Sequence, residues 1–285
     1  MPADTSGITP RARALSSAIR SVREKSGISG RELSSRLGVS HGTVSHWETG
    51  RRVPTPEDVA GLLGAAGVTG KERQRLLELA RHASEPNWLT VGMPGIPQQL
   101  AGAVECERSA SAIVEWAPMG LPGLLQTADY ARSIATSSGM DRQEIERRVT
   151  IRMGRREVVT RRSPVHLTAL IGEDAIRDRI GNAETMLDQL QHLLEFARRD
   201  NIAIQVVRRC TGWHPGVAGP FVLYEFPDSP DVVHFEHYSS GAFVPDEDDV
   251  QAYHSAVRVI KKVALDQEET IRFIELIIDE KEQAA

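Results

Sequence analysis

Two cysteines in 285 residues, Cys106 and Cys210, stand far apart and without CxxC spacing. Such a chain is not expected to be organised by a disulfide framework or a structural zinc site. Long apolar runs are missing as well. The longest uncharged stretch, Pro86 to Val104, contains three Pro and three Gly, which suits a loop and not a membrane span. Met1 to Ser6 lack the basic-then-apolar order of a signal peptide, so a cytoplasmic setting is expected. Aromatic residues make up only 5%, which gives each of them individual weight. There is no GxSxG, no phosphate-binding loop and no GxGxxG followed by an acidic ribose contact. Neither a cofactor, a metal nor an enzymatic activity is expected.

Lysine is scarce too, 5 residues against 29 arginines. The net charge of −5 argues at first against nucleic acid, but it is unevenly spread: residues 1–85 carry +4 and residues 86–285 carry −9. A mildly basic head allows phosphate contacts that the acidic body repels.

What is present in that head is a string with a physical reason at almost every position, SGRELSSRLGVSHGTVSHWETGRRVP, residues 29–54. Ser29 is a good helix cap and Glu32 follows three residues later, the spacing of a capping box. Leu33 and Leu37 share one helical face, and Gly38 stops that helix. Ser40 caps a second helix in which Val44 and Trp47 point inward; Gly50 ends it. Helix, glycine turn, helix is the helix-turn-helix pattern. Around it, a first helix is expected over Pro10–Lys25, with Leu15, Ile19 and Val22 inside and Arg13, Arg20 and Arg23 outside. A fourth, capped by Thr55, spans 57–66 and a fifth 71–82, completing an all-α five-helix domain over residues 10–84.

The helix beginning at Ser40 is the one to enter a major groove. Its base-reading candidates are His41, Thr43 and His46, which offer ring nitrogens, a hydroxyl and a methyl group, while Gly42 offers nothing. Candidates for phosphate or minor-groove contact are Arg31, Ser40, Ser45, Arg51, Arg52, Arg11 and Arg13. Trp47 is expected to pack inside the domain and not on bases. With no bidentate Arg or Gln among the readers, one copy carries little specificity, so a homodimer on two half-sites about 34 Å apart is expected.

Residues 85–98 read as a linker and 99–285 as a second domain, α+β, with a small sheet of about four strands. Strands are expected at 165–171, 202–207, 220–226 and 232–236, with a short extended segment at 113–115 and helices at 99–112, 127–138, 142–161, 183–200, 250–263 and 267–280. Trp213, His214, Tyr224, His237 and Tyr238 are candidates for a ligand or partner groove near the 227–231 turn; Phe221 and Phe226 are expected in the sheet core. His234 and Glu236 share one strand face but lack the PCxxC that a zinc deaminase needs, and Cys210 with His214 lacks an orienting third group. The arginine-dense stretch 142–162 suits an internally salt-bridged helix, a dimer-facing one, or one serving DNA or an acidic partner.

Residues 29–54 resemble the xenobiotic-response-element type of helix-turn-helix domain, related in form to phage repressors and Cro. In that family the start of the third helix reads bases, which corresponds here to His41, Gly42, Thr43 and His46. The chain departs from many phage repressors at Gly30, where they carry Gln. The strings LPGLLQTADYA at 121–131, RMGRRE at 152–157, GEDA at 172–175 and HPGVAGPF at 214–221 resemble the C-terminal domain of WhiJ-like actinobacterial regulators, abundant in streptomycetes and described as antitoxin-like. The resemblance implies a developmental or antibiotic-related transcription factor and a small neighbour-encoded partner protein. The reading of the residues adds double-stranded operator DNA as the target, nucleoid association when bound, and a small-molecule effector as the other candidate for control. Two alternatives remain: an antitoxin-like protein whose main task is holding a small cognate protein, with DNA binding as autoregulation, and an enzyme with a DNA-binding appendage.

Overall fold

The structure, a computed structural model, describes residues 10–81, 83, 90–91, 97–236 and 240–283. In chain order the head consists of α1 (Pro10–Lys25), α2 (Gly30–Leu37), α3 (His41–Glu48), α4 (Pro56–Ala65) and α5 (Gly70–Arg81). The remainder runs β1 (Thr90–Val91), α6 (Pro97–Ser109), β2 (Ala112–Ala117), α7 (Ala128–Ser137), α8 (Arg142–Arg155), α9 (Glu157–Thr160), β3 (His166–Gly172), α10 (Glu173–Arg177), α11 (Ala183–Ala197), β4 (Ile202–Val207), β5 (Phe221–Glu225), β6 (Val232–Glu236), β7 (Ser240–Val244), α12 (Glu247–Val263) and α13 (Gln267–Gln283). The chain divides into two compact units, one formed within residues 1–109 and 225–250, the other within 110–224 and 251–285.

In the first unit the five head helices close around one core of Leu15, Ile19, Val22, Leu33, Val44, Trp47, Val59, Leu62, Leu63 and Leu76. On α1, α3 and α4 these positions recur at three- and four-residue spacing, so each of those helices buries a single apolar stripe. Thr55 and Asp58 form a reciprocal capping box that starts α4. At Ser29 the box is only half made: Ser29 Oγ accepts from the Glu32 N–H, but the Glu32 carboxylate is taken by Arg36 at 2.6 Å. The same unit holds an antiparallel trio in which β7 lies between β1 and β6, with Val233 opposite Val244 and Thr90 opposite Gly241. Of the expected linker, 85–98, only Thr90, Val91, Pro97 and Gln98 lie among the described residues.

In the second unit β2, β3 and β4 are parallel and in register, Ile113 beside Leu167 and Leu167 beside Ile202, with β5 on the far side of β2. Seven strands are described in place of about four. The extended segment at 113–115 is a full six-residue strand; β1 and β7 were not expected, the latter because Ser240 and Gly241 weaken its strand pattern. The outer edge of β4 is closed by α13: Gln267 and Thr270 side chains accept from the N–H groups of Ile204 and Val206 at 2.9 and 3.0 Å. That satisfies donors an open edge would leave bare. The single helix expected over 142–161 is interrupted at Arg156 between α8 and α9.

Candidate nucleic-acid interface

Helix α3 is positioned from both ends. Ser40 Oγ caps it by accepting from the Thr43 N–H at 3.0 Å and also hydrogen-bonds the Thr43 hydroxyl at 2.9 Å. At the other end Arg23 of α1 grips Glu48 through two guanidinium nitrogens, at 2.6 and 2.9 Å, and donates a third bond to the Ile28 carbonyl at 3.3 Å. Both side chains are largely buried, 16% and 11% exposed. This corrects the placement of Arg23 on an outer face: it is the tie between α1 and the recognition helix. Twenty-five residues separate the pair, so no local pattern announces it. Between the two anchors Val44 and Trp47 are buried, Trp47 at 2%, as expected of a core residue.

The opposite face of α3 is open. His41, Gly42 and His46 are exposed, and Thr43 and Ser45 are half-buried. Gly38, at φ +69°, turns the chain between α2 and α3 in a conformation that favours glycine. Arg31, Arg51 and Arg52 are exposed, and no carboxylate among the described residues pairs with them. They flank the open face with free positive charge. The side chains of Arg11 and Arg13 lie outside the described residues. Arg36, not singled out by its sequence position, donates to the Ala65 carbonyl at 2.9 Å and so fastens α2 to the end of α4.

Of the residues expected to line a ligand or partner groove, the three described ones do not share one surface. Trp213 is 82% exposed, whereas His214 and Tyr224 are buried at 6% and 2%. His214 meets the Trp116 ring edge-on at 5.6 Å, and Trp116 Nε1 donates to the Gly216 carbonyl at 2.8 Å. A Cβ at Gly216 would lie 2.7 Å from the Trp116 ring. The HPG string is therefore the seat of a buried tryptophan. His237 and Tyr238 lie outside the described residues. Phe221 is core and packs on Tyr253 at 4.8 Å, while Phe226 is half-buried. His234 is buried and stacked on Phe243 at 4.2 Å; Glu236 is exposed. Cys106 is buried and Cys210 exposed. Among the described residues no three His, Cys, Asp or Glu side chains converge as a metal site.

The other strings explain each other. Gln126 donates to the Leu121 carbonyl at 2.7 Å and accepts from Arg152 at 2.6 Å. Buried Gln189 of α11 donates to the Leu125 carbonyl and accepts from the Thr127 N–H. LPGLLQT and RMGRRE thus brace one loop. In α8, Arg147 and Arg148 both bond Glu144, the internally salt-bridged arrangement. Glu173 of GEDA accepts from Arg177 Nε at 2.6 Å, and from Arg208 Nε and the Arg209 N–H at 2.9 Å each. Burial pushes its carboxyl up, but these donors outweigh that and hold it at about 2.

A family model described as a helix-turn-helix domain matches residues 14–76, and one described as a domain of unknown function (DUF5753) matches residues 100–276. Neither the curated proteins nor the solved structures gave a match. The helix-turn-helix match makes DNA the partner of α2 and α3 and fits a transcriptional regulator. Among the described residues no helix is long and apolar enough to cross a membrane.

Proposed function

Since the chain belongs to the DUF5753 family and joins that domain to a helix-turn-helix domain, we propose that it is a dimeric, sequence-specific transcriptional regulator whose C-terminal domain receives the controlling signal. The observation that carries the reading is the recognition helix itself. Its inner face and both ends are locked, while His41, Thr43 and His46 are left facing outward between unpaired arginines. Any surface helix leaves one face uncovered; what supports the reading is that this face carries hydrogen-bonding side chains at the start of α3 and is flanked by cations. Two half-sites are required because a reader set without Arg or Gln discriminates weakly. The resemblance to WhiJ-like regulators supports a small neighbour-encoded protein or small molecule as the signal.

Selection from a pool of randomised DNA duplexes by the full-length protein tests this. The expected product is a two-fold symmetric sequence with half-site centres about 10 base pairs apart, or a multiple of that. Recovery of an unbiased pool overturns the reading. Stoichiometric co-purification with a small protein whose removal leaves DNA affinity unchanged would select the antitoxin-like alternative instead.

A further inference from the structure

Gly30 is the first residue of α2 and His41 the first of α3. A Cβ built on Gly30 would lie 3.3 Å from His41 Nε2 and 3.7 Å from its Cδ2. Apart from Gly30's own helix and chain neighbours, no other residue comes within 4 Å of that position among the described residues. The imidazole therefore covers bare backbone at the head of the preceding helix. Opposite the Nε2–Cδ2 bond in the ring stands Nδ1, which lies beyond 4 Å from that position.

Two further facts give the contact weight. The backbone does not demand glycine at position 30: its φ is not positive, unlike Gly38 and Gly50 at +69° and +74°, and most other residues are better helix formers. Nor is the exposed His41 ring held by a hydrogen bond to any described residue. The neighbour that the structure shows for one edge of the ring is the bare backbone of Gly30.

We propose that Gly30 is a specificity-determining position. By carrying no side chain it seats the His41 imidazole with Nδ1 directed at a base edge in the major groove. This rests on the DNA-binding reading above. A Cβ at position 30 would stand 3.3 Å from Nε2, close enough that the ring must give way by a few tenths of an ångström, and a longer side chain would displace it further. A hydrogen bond to a base edge loses strength quickly with such misalignment.

The experiment uses the full-length wild type, Gly30→Ala, His41→Ala and the double variant, each offered the randomised duplex pool. Affinities are then read by fluorescence anisotropy on the wild-type-selected duplex. Gly30→Ala is expected to bind that duplex at least about fivefold more weakly, the lower end of what a good base contact discriminates. It should also change the preferred base pair at one position per half-site. In the His41→Ala background the same change should cost less than about twofold, because the coupled partner is gone. Thermal stability should not fall, since alanine replaces glycine within a helix; Gly30→Ser meets the same contact and should repeat the pattern. The proposal is overturned if Gly30→Ala selects the wild-type sequence with wild-type affinity, or if its effect is undiminished without His41. Failure of the wild type to enrich any sequence is a separate result: it removes the DNA-binding reading and this proposal with it.

Discussion

Glu173 concentrates several opposing effects in one side chain. Only 6% of it is exposed, which disfavours its charge, yet a backbone N–H and two guanidinium groups hold it at about 2. Its two arginines, Arg177 and Arg208, also lie over the Phe273 ring at 5.5 and 4.7 Å, so a buried carboxylate is neutralised by guanidinium groups that pack on an aromatic face while keeping part of their surface in water. Because the folded value lies below the unfolded one, the stabilisation is complete above the unfolded pKa. It is lost as pH falls through the folded value, from about pH 5 towards 2. A shift of this size corresponds to about 3 kcal/mol near neutrality. Glu173→Gln should therefore be less stable than wild type at pH 7 by a few kcal/mol, with the gap narrowing between pH 5 and 3. Urea unfolding in 0.5 M salt measures it. Glu144, also held at about 2 by the hydrogen bonds of Arg147 and Arg148, is partly exposed on a helix surface, and salt screens its contribution. A gap that stays constant with pH would show that Glu173 acts through packing alone.

At the scale of elements, the recognition helix depends on a partner it does not touch in sequence. Removing Arg23 leaves the Glu48 carboxylate, 11% exposed in the intact pair, without its bidentate partner, which should cost about 3 kcal/mol. Arg23→Met combined with Glu48→Met removes both charges, fills similar volume and should recover most of that loss, because no unpaired ion remains. Thermal unfolding of the three proteins distinguishes the cases; equal destabilisation by Arg23→Ala and by the double variant would show that the pair contributes by geometry and not by charge pairing. The same example marks what the chain discloses unaided. Ser29, Ser40 and Thr55 cap helices where short-range chemistry places them, and Gly38 turns the chain, since each signal lies within four residues of its effect. The Arg23–Glu48 tie, the closure of β4 by Gln267 and Thr270, and the burial of His214 and Tyr224 all depend on residues dozens of positions away. Parallel pairing of β2, β3 and β4 has no hairpin to signal it. The candidate readers on α3 were legible because a helix surface is periodic; the candidate groove was not, because aromatic residues near in sequence were divided between core and surface.

For the whole molecule, the decisive quantity is how charge is shared between head and body. With +4 in residues 1–85 and −9 in residues 86–285, DNA is attracted only where the recognition helix lies, so the number of phosphates neutralised is set by the number of heads. Among the described residues Arg31, Arg51 and Arg52 are unpaired cations beside that helix. Each phosphate contact contributes about 0.9 to the steepness with which log affinity falls against log salt, so two heads give a slope near −5 and one head near −3. Fluorescence anisotropy on the selected duplex between 50 and 300 mM salt reads that slope. Arg51→Ala with Arg52→Ala should flatten it by about 3.5 in a dimer and about 2 in a monomer. His41→Ala should weaken binding on the selected sequence while leaving the slope within error of wild type, because a base contact releases no counterion. A slope near zero would remove DNA as the partner. A slope near −3 that halving the half-sites does not change would place a single head on the duplex, and the acidic body would then have to gain specificity from a second protein and not from a second copy of itself.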